Sequence, residues 1–182
     1  MSEITTPPPV KAFCAVLAGR TEWLERAVEC LESSFGSIDE VSGTWPFNFT
    51  DYYADQMGTD LLRRICSFDK LIDPAEIADW KWETNRIEDS LKPISGGSPE
   101  RPVNLDPGYV SRPKMVLATT KNYAHRIYLR NGIYAETTLR WRKDDFVPWE
   151  WTYPDYRTRR YRDFFKRIRA LYTRQLANRN DA

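Results

Sequence analysis

Two apolar segments of different period, separated by three residues, dictate how this chain begins to fold. Val10 to Leu17 reads VKAFCAVL, an apolar run short enough to be a buried strand. Ala18-Gly19-Arg20 turns the chain, and Thr21 is the expected helix N-cap. Trp23, Leu24, Ala27, Val28, Leu31 and Phe35 then recur at helical spacing, and Gly36 supplies the stop. The result is a β-α unit. A second strand is expected within Ile38 to Phe49, interrupted near Pro46 because proline has no backbone donor to give a ladder.

Phe47 to Tyr53 is aromatic and irregular, and Leu61 to Phe68 fits a helix or a strand equally. Asp73-Pro74 marks a helix start, after which Ile77, Trp80, Lys81, Thr84, Ile87, Glu88 and Leu91 keep helical spacing. Lys92 to Pro102, with Gly96-Gly97-Ser98-Pro99, reads as a loop. Strands are expected over Arg101 to Val110, Met115 to Thr120, His125 to Leu129 and Ile133 to Trp141, with Asn131-Gly132 as a hairpin turn. Tyr161, Phe164, Phe165, Ile168, Leu171, Tyr172 and Leu176 form the apolar face of a final amphipathic helix. This order predicts an α/β (α+β) two-layer sandwich: a ferredoxin-like β-α-β-β-α-β core with an added C-terminal β-hairpin and amphipathic helix. With 182 residues, one domain is expected over 10–177, after a flexible Pro-rich arm at 1–9 and before a disordered tail at 178–182.

The segments FNFTDYYADQMG (Phe47 to Gly58), WKWETNRIE (Trp80 to Glu88), VNLDPGYV (Val103 to Val110), LATTKNYAHRIYLRNGIYAETTL (Leu117 to Leu139) and WTYPDYR (Trp151 to Arg157) carry a family likeness. Through them the chain resembles domain-of-unknown-function family 4416, from about Val10 to Tyr172. The resemblance implies a bacterial, cytosolic, one-domain protein, and it supplies no established activity and no catalytic residues. Some relatives carry a nucleotide-binding label, but the chain has no GxxxxGK[ST] to support a P-loop.

Several function classes are excluded by residue usage. Cys14, Cys30 and Cys66 form no CxxC, and one histidine cannot complete a usual zinc site. The thiols are expected to be reduced and mostly buried, in a cytoplasmic protein. GxSxG, HExxH and GxGxxG are absent. No apolar run approaches a membrane span, and the start lacks a signal-peptide core. Neither a metal nor a cofactor is expected.

Candidate chemistry concentrates between Asn104 and Glu136. A two-residue Asn131-Gly132 turn sets Arg130 opposite Ile133, Leu129 opposite Tyr134, Ile127 opposite Glu136 and His125 opposite Thr138. His125 and Glu136 then share a face, while Arg126, Tyr128 and Thr137 take the other. The functional reading makes His125 a proton carrier oriented by Glu136 or Asp106, with Lys121 or Arg126 holding an anion. The plain alternative is a structural histidine. Asn104, Asp106 and Tyr109 lie on the Asn-Leu-Asp-Pro-Gly-Tyr segment, where Asp106 serves either its own turn or a cleft; one carboxylate and one amide are too few for Mg²⁺. Tyr153, Asp155 and Arg157 combine ring faces with charge, suited to a planar ligand or to a packed turn. Thr50-Asp51-Tyr52-Tyr53, Asn85 and Glu88 are further candidates for the same cleft.

The whole chain carries +1, but from Tyr153 onward nine Arg or Lys face three Asp or Glu. Three readings follow. The first is a cleft for a small anionic or nucleotide-like ligand near the 117–139 hairpin, with or without catalysis. The second is an RNA-associated module using the basic C-terminal helix, although no nucleic-acid motif is present. The third is an interaction module with no small-molecule site.

Overall fold

The computed structural model describes residues 3–97 and 99–180. Nine strands and four helices follow one another as β1 (Val10–Ala18), α1 (Thr21–Phe35), β2 (Ile38–Val41), β3 (Trp45–Phe47), α2 (Ala54–Met57), β4 (Leu61–Ile72), α3 (Ile77–Leu91), β5 (Val103–Val110), β6 (Lys114–Thr119), β7 (Ile127–Arg130), β8 (Ile133–Arg142), β9 (Asp145–Pro148) and α4 (Arg159–Asn180). The strands form one antiparallel sheet in the order β2-β4-β1-β5-β6-β8-β7, with β3 beside β4 and β9 beside β8.

All nine residues of β1 are buried because both faces of the sheet are covered there. Ala12, Cys14 and Val16 pack with Leu24 and Leu31 of α1 and Trp80 and Ile87 of α3. Phe13 and Ala15 pack with Phe164, Phe165 and Ile168 of α4. A strand buried on both faces loses its apolar-polar alternation, which is why Val10 to Leu17 reads as a continuous apolar run. The two-layer expectation is corrected on the same ground, since α4 adds a third layer. A four-stranded ferredoxin-like sheet does not describe the whole sheet either, which has nine strands.

Local expectations fared unevenly. Thr21 is the first helical residue of α1, not its cap, and Arg20 at the cap makes no side-chain capping bond. Leu61 to Phe68 belongs to a strand that continues to Ile72. Asp73 and Glu76 form a capping box ahead of α3, as Asp73-Pro74 suggested. Helix α4 runs on through residues 178–180, where a disordered tail was expected. Met1, Ser2 and Ser98, and the end of that tail at Asp181 and Ala182, lie outside the described residues.

The hairpin turn is as expected, with φ of 52° at Asn131 and 76° at Gly132 and Arg130 opposite Ile133. The expected register fails one residue further out. Tyr128, not Leu129, opposes Tyr134, and Ile127 opposes Ala135, because Leu129 is an extra residue in a bulge. A one-residue slip exchanges the two faces of β7. Moreover, β7 begins at Ile127, so His125 and Arg126 lie in the turn before it.

The feature that positions the site is a split in the sheet. β5 pairs with β1 along its whole length, but with β6 only at Gly108–Leu117, Tyr109–Val116 and Val110–Met115. From Val103 to Pro107 its outer edge has no strand partner among the described residues. Side chains of α3 take over there: Leu105 N–H donates to Glu88 Oε1 at 2.7 Å, and Lys81 Nζ donates to the Leu105 carbonyl at 2.6 Å. Both Leu105 groups therefore point away from β1. Alternation gives Pro107 the same orientation, so the residue with no N–H stands where a donor would find no strand. Gly108 closes the split; a Cβ there would lie 2.2 Å from the Val116 carbonyl oxygen and 2.6 Å from the Phe13 ring.

Candidate functional site

Helix α4 covers only part of its face of the sheet. Beyond its N-terminal end, the split between β5 and β6 floors a cleft of about 490 Å³. Arg63 from β4, Asp106 from β5, Leu117 from β6 and Glu136 from β8 form the floor. Phe47, Phe49, Tyr52 and Tyr53 make one wall and Tyr153 and Pro154 the other, with the buried Asp155 and Tyr156 at its foot, Arg126 against Glu136 and Lys121 at the lip.

Two ionic units occupy this floor. In the first, the buried Arg63 guanidinium sits between two carboxylates. Its Nη1 donates to Asp106 Oδ2 at 3.2 Å, and its Nη2 lies 3.6 Å from Asp155 Oδ2. The Phe47 ring packs 4.8 Å from the same guanidinium. Asn104 donates to Asp106 Oδ2 at 2.7 Å, and Lys81 Nζ stands 4.0 Å from Oδ1. Burial alone would raise the Asp106 carboxyl, but Lys81, Arg63 and the hydrogen bonds from Arg63 and Asn104 outweigh it and hold it below the usual range. For Asp155 burial wins: its carboxyl is raised, with Arg63 offsetting only part of the cost. Two carboxylates around one guanidinium are thus pushed in opposite directions.

The second unit is centred on Glu136, whose side chain is almost wholly buried. Its Oε2 accepts from Arg126 Nε at 2.9 Å and lies 3.0 Å from His125 Nε2, while Oε1 accepts from Thr138 Oγ1 at 3.2 Å. Arg126 also donates to the Lys121 carbonyl at 3.0 Å and to the Tyr153 hydroxyl at 2.6 Å. His125 stacks on Trp151, which stacks on Trp149, which lies under Arg140, a column with spacings of 5.2, 5.1 and 4.1 Å. At the lip, Lys121 Nζ donates to the Tyr52 hydroxyl at 2.7 Å, and this bond lowers the Tyr52 phenol below its ordinary value.

Of the residues singled out from sequence, Asp106, Lys121, Arg126, Glu136, Tyr153 and Asp155 meet in this one cleft, together with Thr50, Tyr52 and Tyr53. Asn104 stands behind Asp106. His125 stands behind Glu136 and does not line the cleft, though it reaches Glu136 despite the altered register. Tyr109 faces away, against the cluster under α1 and α3. Arg157 is held by the Thr152 and Glu150 carbonyls, both at 2.7 Å, as a packed turn requires. Glu88 serves the β5 edge and Arg101.

Sequence reading missed Arg63, the central cation. Its signal was present: an arginine inside a buried apolar run must find a carboxylate, because an unpaired buried charge is too costly. Three buried polar atoms beside this pair, Arg63 Nε and the Tyr156 and Tyr161 hydroxyls, have no hydrogen-bond partner among the described residues. The basic face of α4 is largely engaged within the chain, with Arg162 on Asp145 at 2.5 Å, Arg167 on Glu40 at 3.0 Å and Arg169 on the Arg112 carbonyl at 2.9 Å. Among the described residues, no three His, Cys, Asp or Glu side chains are grouped to hold a metal ion. No helix among them is long and apolar enough to cross a membrane.

No curated protein and no solved structure matches the chain. The model of the family described as "Domain of unknown function (DUF4416)" matches residues 8–172, most of the length. The five segments that line or support the cleft all fall inside that match, and the chain belongs to the DUF4416 family.

Proposed function

We propose that this protein binds a small ligand, planar in one part and anionic in another, in the cleft between β5 and β6. The observation that carries the reading is convergence: six side chains from four separate stretches of sequence line one cavity of about 490 Å³. That volume lies within the range of small-molecule sites, and aromatic walls over a few placed polar groups are what such sites are made of. Asp106 and Asp155, with proton affinities driven apart, give the cleft acid-base capacity, so the reading extends to proton-transfer chemistry on the bound ligand.

Two further readings go with this proposal. We read the β1-α1-β2-β4-α3-β5 portion as a ferredoxin-like core, since its strands lie in the order β2-β4-β1-β5 with α1 and α3 on one face. Cys14, Cys30 and Cys66 are all unpaired, which supports a reducing, cytoplasmic compartment.

Thermal unfolding against a panel of nucleotides, phosphorylated metabolites and short RNA tests the function. A ligand at 100 times its dissociation constant stabilises by about 2.7 kcal/mol, or about 5–10 °C for a chain of this size. The expected result is a shift with a small ligand that shrinks in Lys121→Ala. Silence from every small molecule, with a salt-sensitive response to RNA alone, would transfer the function to the arginines of α4.

A further inference from the structure

We propose that the cleft holds its ligand in one direction, with a planar hydrogen-bonding ring on Asp106, Asp155 and Tyr156 at the floor and an anionic group on Lys121 at the lip. This rests on the cleft being a ligand site, and it adds which chemistry belongs at which end.

Charge pairing decides the direction. Every cation at the floor already faces a carboxylate: Arg63 is shared by Asp106 and Asp155, Lys81 stands behind Asp106, and Arg126 is spent on Glu136. An anion driven to that depth would meet three carboxylates and no unmatched cation, in surroundings where charge is weakly screened.

What the floor offers instead is hydrogen bonding. Asp106 Oδ2 receives both Arg63 and Asn104, whereas among the described residues Oδ1 has only Lys81 at 4.0 Å and accepts no hydrogen bond. The Asp106 side chain keeps 29% of its surface, so a ligand can reach that oxygen. The Asp155 side chain is 4% exposed, with Arg63 Nη2 at 3.6 Å and the Tyr156 backbone N–H beside it. The Tyr156 hydroxyl and Arg63 Nε, equally buried, have no partner among the described residues. Acceptors and donors therefore stand side by side between aromatic walls, the pattern that fits the N–H, ring-nitrogen and carbonyl edge of a heterocycle. Asp155 adds an acceptor to this set, with its proton affinity raised by burial and only partly offset by Arg63.

The lip is the reverse. Lys121 Nζ has the Tyr52 hydroxyl at 2.7 Å and the Tyr52 ring centroid at 4.0 Å, and no carboxylate lies within ion-pair distance of it among the described residues. Its charge is free for a phosphate or carboxylate.

Cytidine, cytidine 5′-monophosphate and ribose 5-phosphate separate the two ends. Their dissociation constants and amide shift maps are measured on the wild type, Lys121→Ala and Asp155→Asn. Losing one charge-assisted bond should weaken the monophosphate about tenfold or more in Lys121→Ala, with cytidine unchanged. Asp155→Asn should weaken cytidine and the monophosphate alike, and ribose 5-phosphate should shift amides near Lys121 but not at the floor. Tyr156→Phe, which removes only a hydroxyl, tests the floor should Asp155→Asn fail to fold. A monophosphate indifferent to Lys121→Ala, or ribose 5-phosphate moving the Asp106 and Asp155 amides, overturns the direction and leaves the cleft a ligand site. Binding of none of the three overturns both the direction and the planar-ligand reading.

Discussion

Replacing Glu136 by glutamine tests whether the second ionic unit anchors the cleft. The substitution keeps the shape of the side chain and removes its charge. Glu136 is surrounded by Arg126, His125 and Thr138, all placed to donate to its oxygens. The amide can keep its oxygen toward Arg126 and His125 and turn its NH2 to the Thr138 hydroxyl, which then accepts, so the loss is the charge itself. The Arg126 side chain, 7% exposed, also loses the only carboxylate it pairs with among the described residues. Removing one partner of a buried ion pair costs about 3–5 kcal/mol. Arg126 keeps its bonds to the Lys121 carbonyl and Tyr153 hydroxyl, which places the loss near the low end, about 3 kcal/mol. For a chain of this length that lowers Tm by about 6–12 °C. Thermal unfolding followed by circular dichroism reads it, and a double-mutant cycle with Arg126→Met should return a coupling above about 1 kcal/mol. A variant within about 0.5 kcal/mol of the wild type would refute the reasoning, because water would then have to be serving Arg126 in place of the carboxylate.

Gly108→Ala should destabilise by about 1–3 kcal/mol, since its Cβ meets backbone at Val116 and the buried Phe13 ring, and denaturant unfolding checks it. A neutral outcome would mean the split can widen freely. The Asp155 carboxyl is raised on folding, so its contribution to stability is fully present below the unfolded value of about pH 3.9 and is lost as pH rises through the folded one. Asp155→Asn should therefore gain stability relative to wild type as pH goes from about 4 to 7; a gain in the other direction contradicts burial as the dominant cause. Arg157→Ala removes two bonds to backbone carbonyls and should cost about 1–2 kcal/mol in thermal unfolding while leaving ligand-induced shifts intact. Loss of the ligand response with unchanged stability would make Arg157 part of the site.

The elements most legible in the sequence were those whose signals are local. The first strand and helix, the Asp73-Pro74 start, the Asn131-Gly132 turn and the apolar face of α4 each depend on residues within a few positions of one another. What escaped depends on distant partners. Nothing near Leu129 announces a bulge, and the register of β7 slipped there. Helix α4 was legible as amphipathic, but which face of which sheet it covers is settled by Phe13, Ala15 and Ile65, far away in sequence. The site divides in the same way. His125 and Glu136 were within reach through one hairpin, and Asp155 stood out by its aromatic neighbours. Arg63, the cation that links Asp106 to Asp155, sits in a stretch whose secondary structure was itself ambiguous.

The split sheet has a further consequence for how the cleft's width is set. Among the described residues, the leaf carrying β1 and β5 is joined to the leaf carrying β6 and β8 by three backbone rungs and the turn next to them, closed by Ser111 N–H on the Lys114 carbonyl at 2.9 Å. Elsewhere the leaves are coupled by side chains, with Phe13, Met115, Leu139 and Phe165 wedged across the seam on the α4 side. A backbone ladder has a fixed spacing, whereas a wedge has whatever thickness its residues supply. The aperture is therefore set by side chains outside the cleft lining, and exchanging the fully buried Met115 or Leu139 for a smaller residue should resize the opening at a stability cost of about 2–5 kcal/mol.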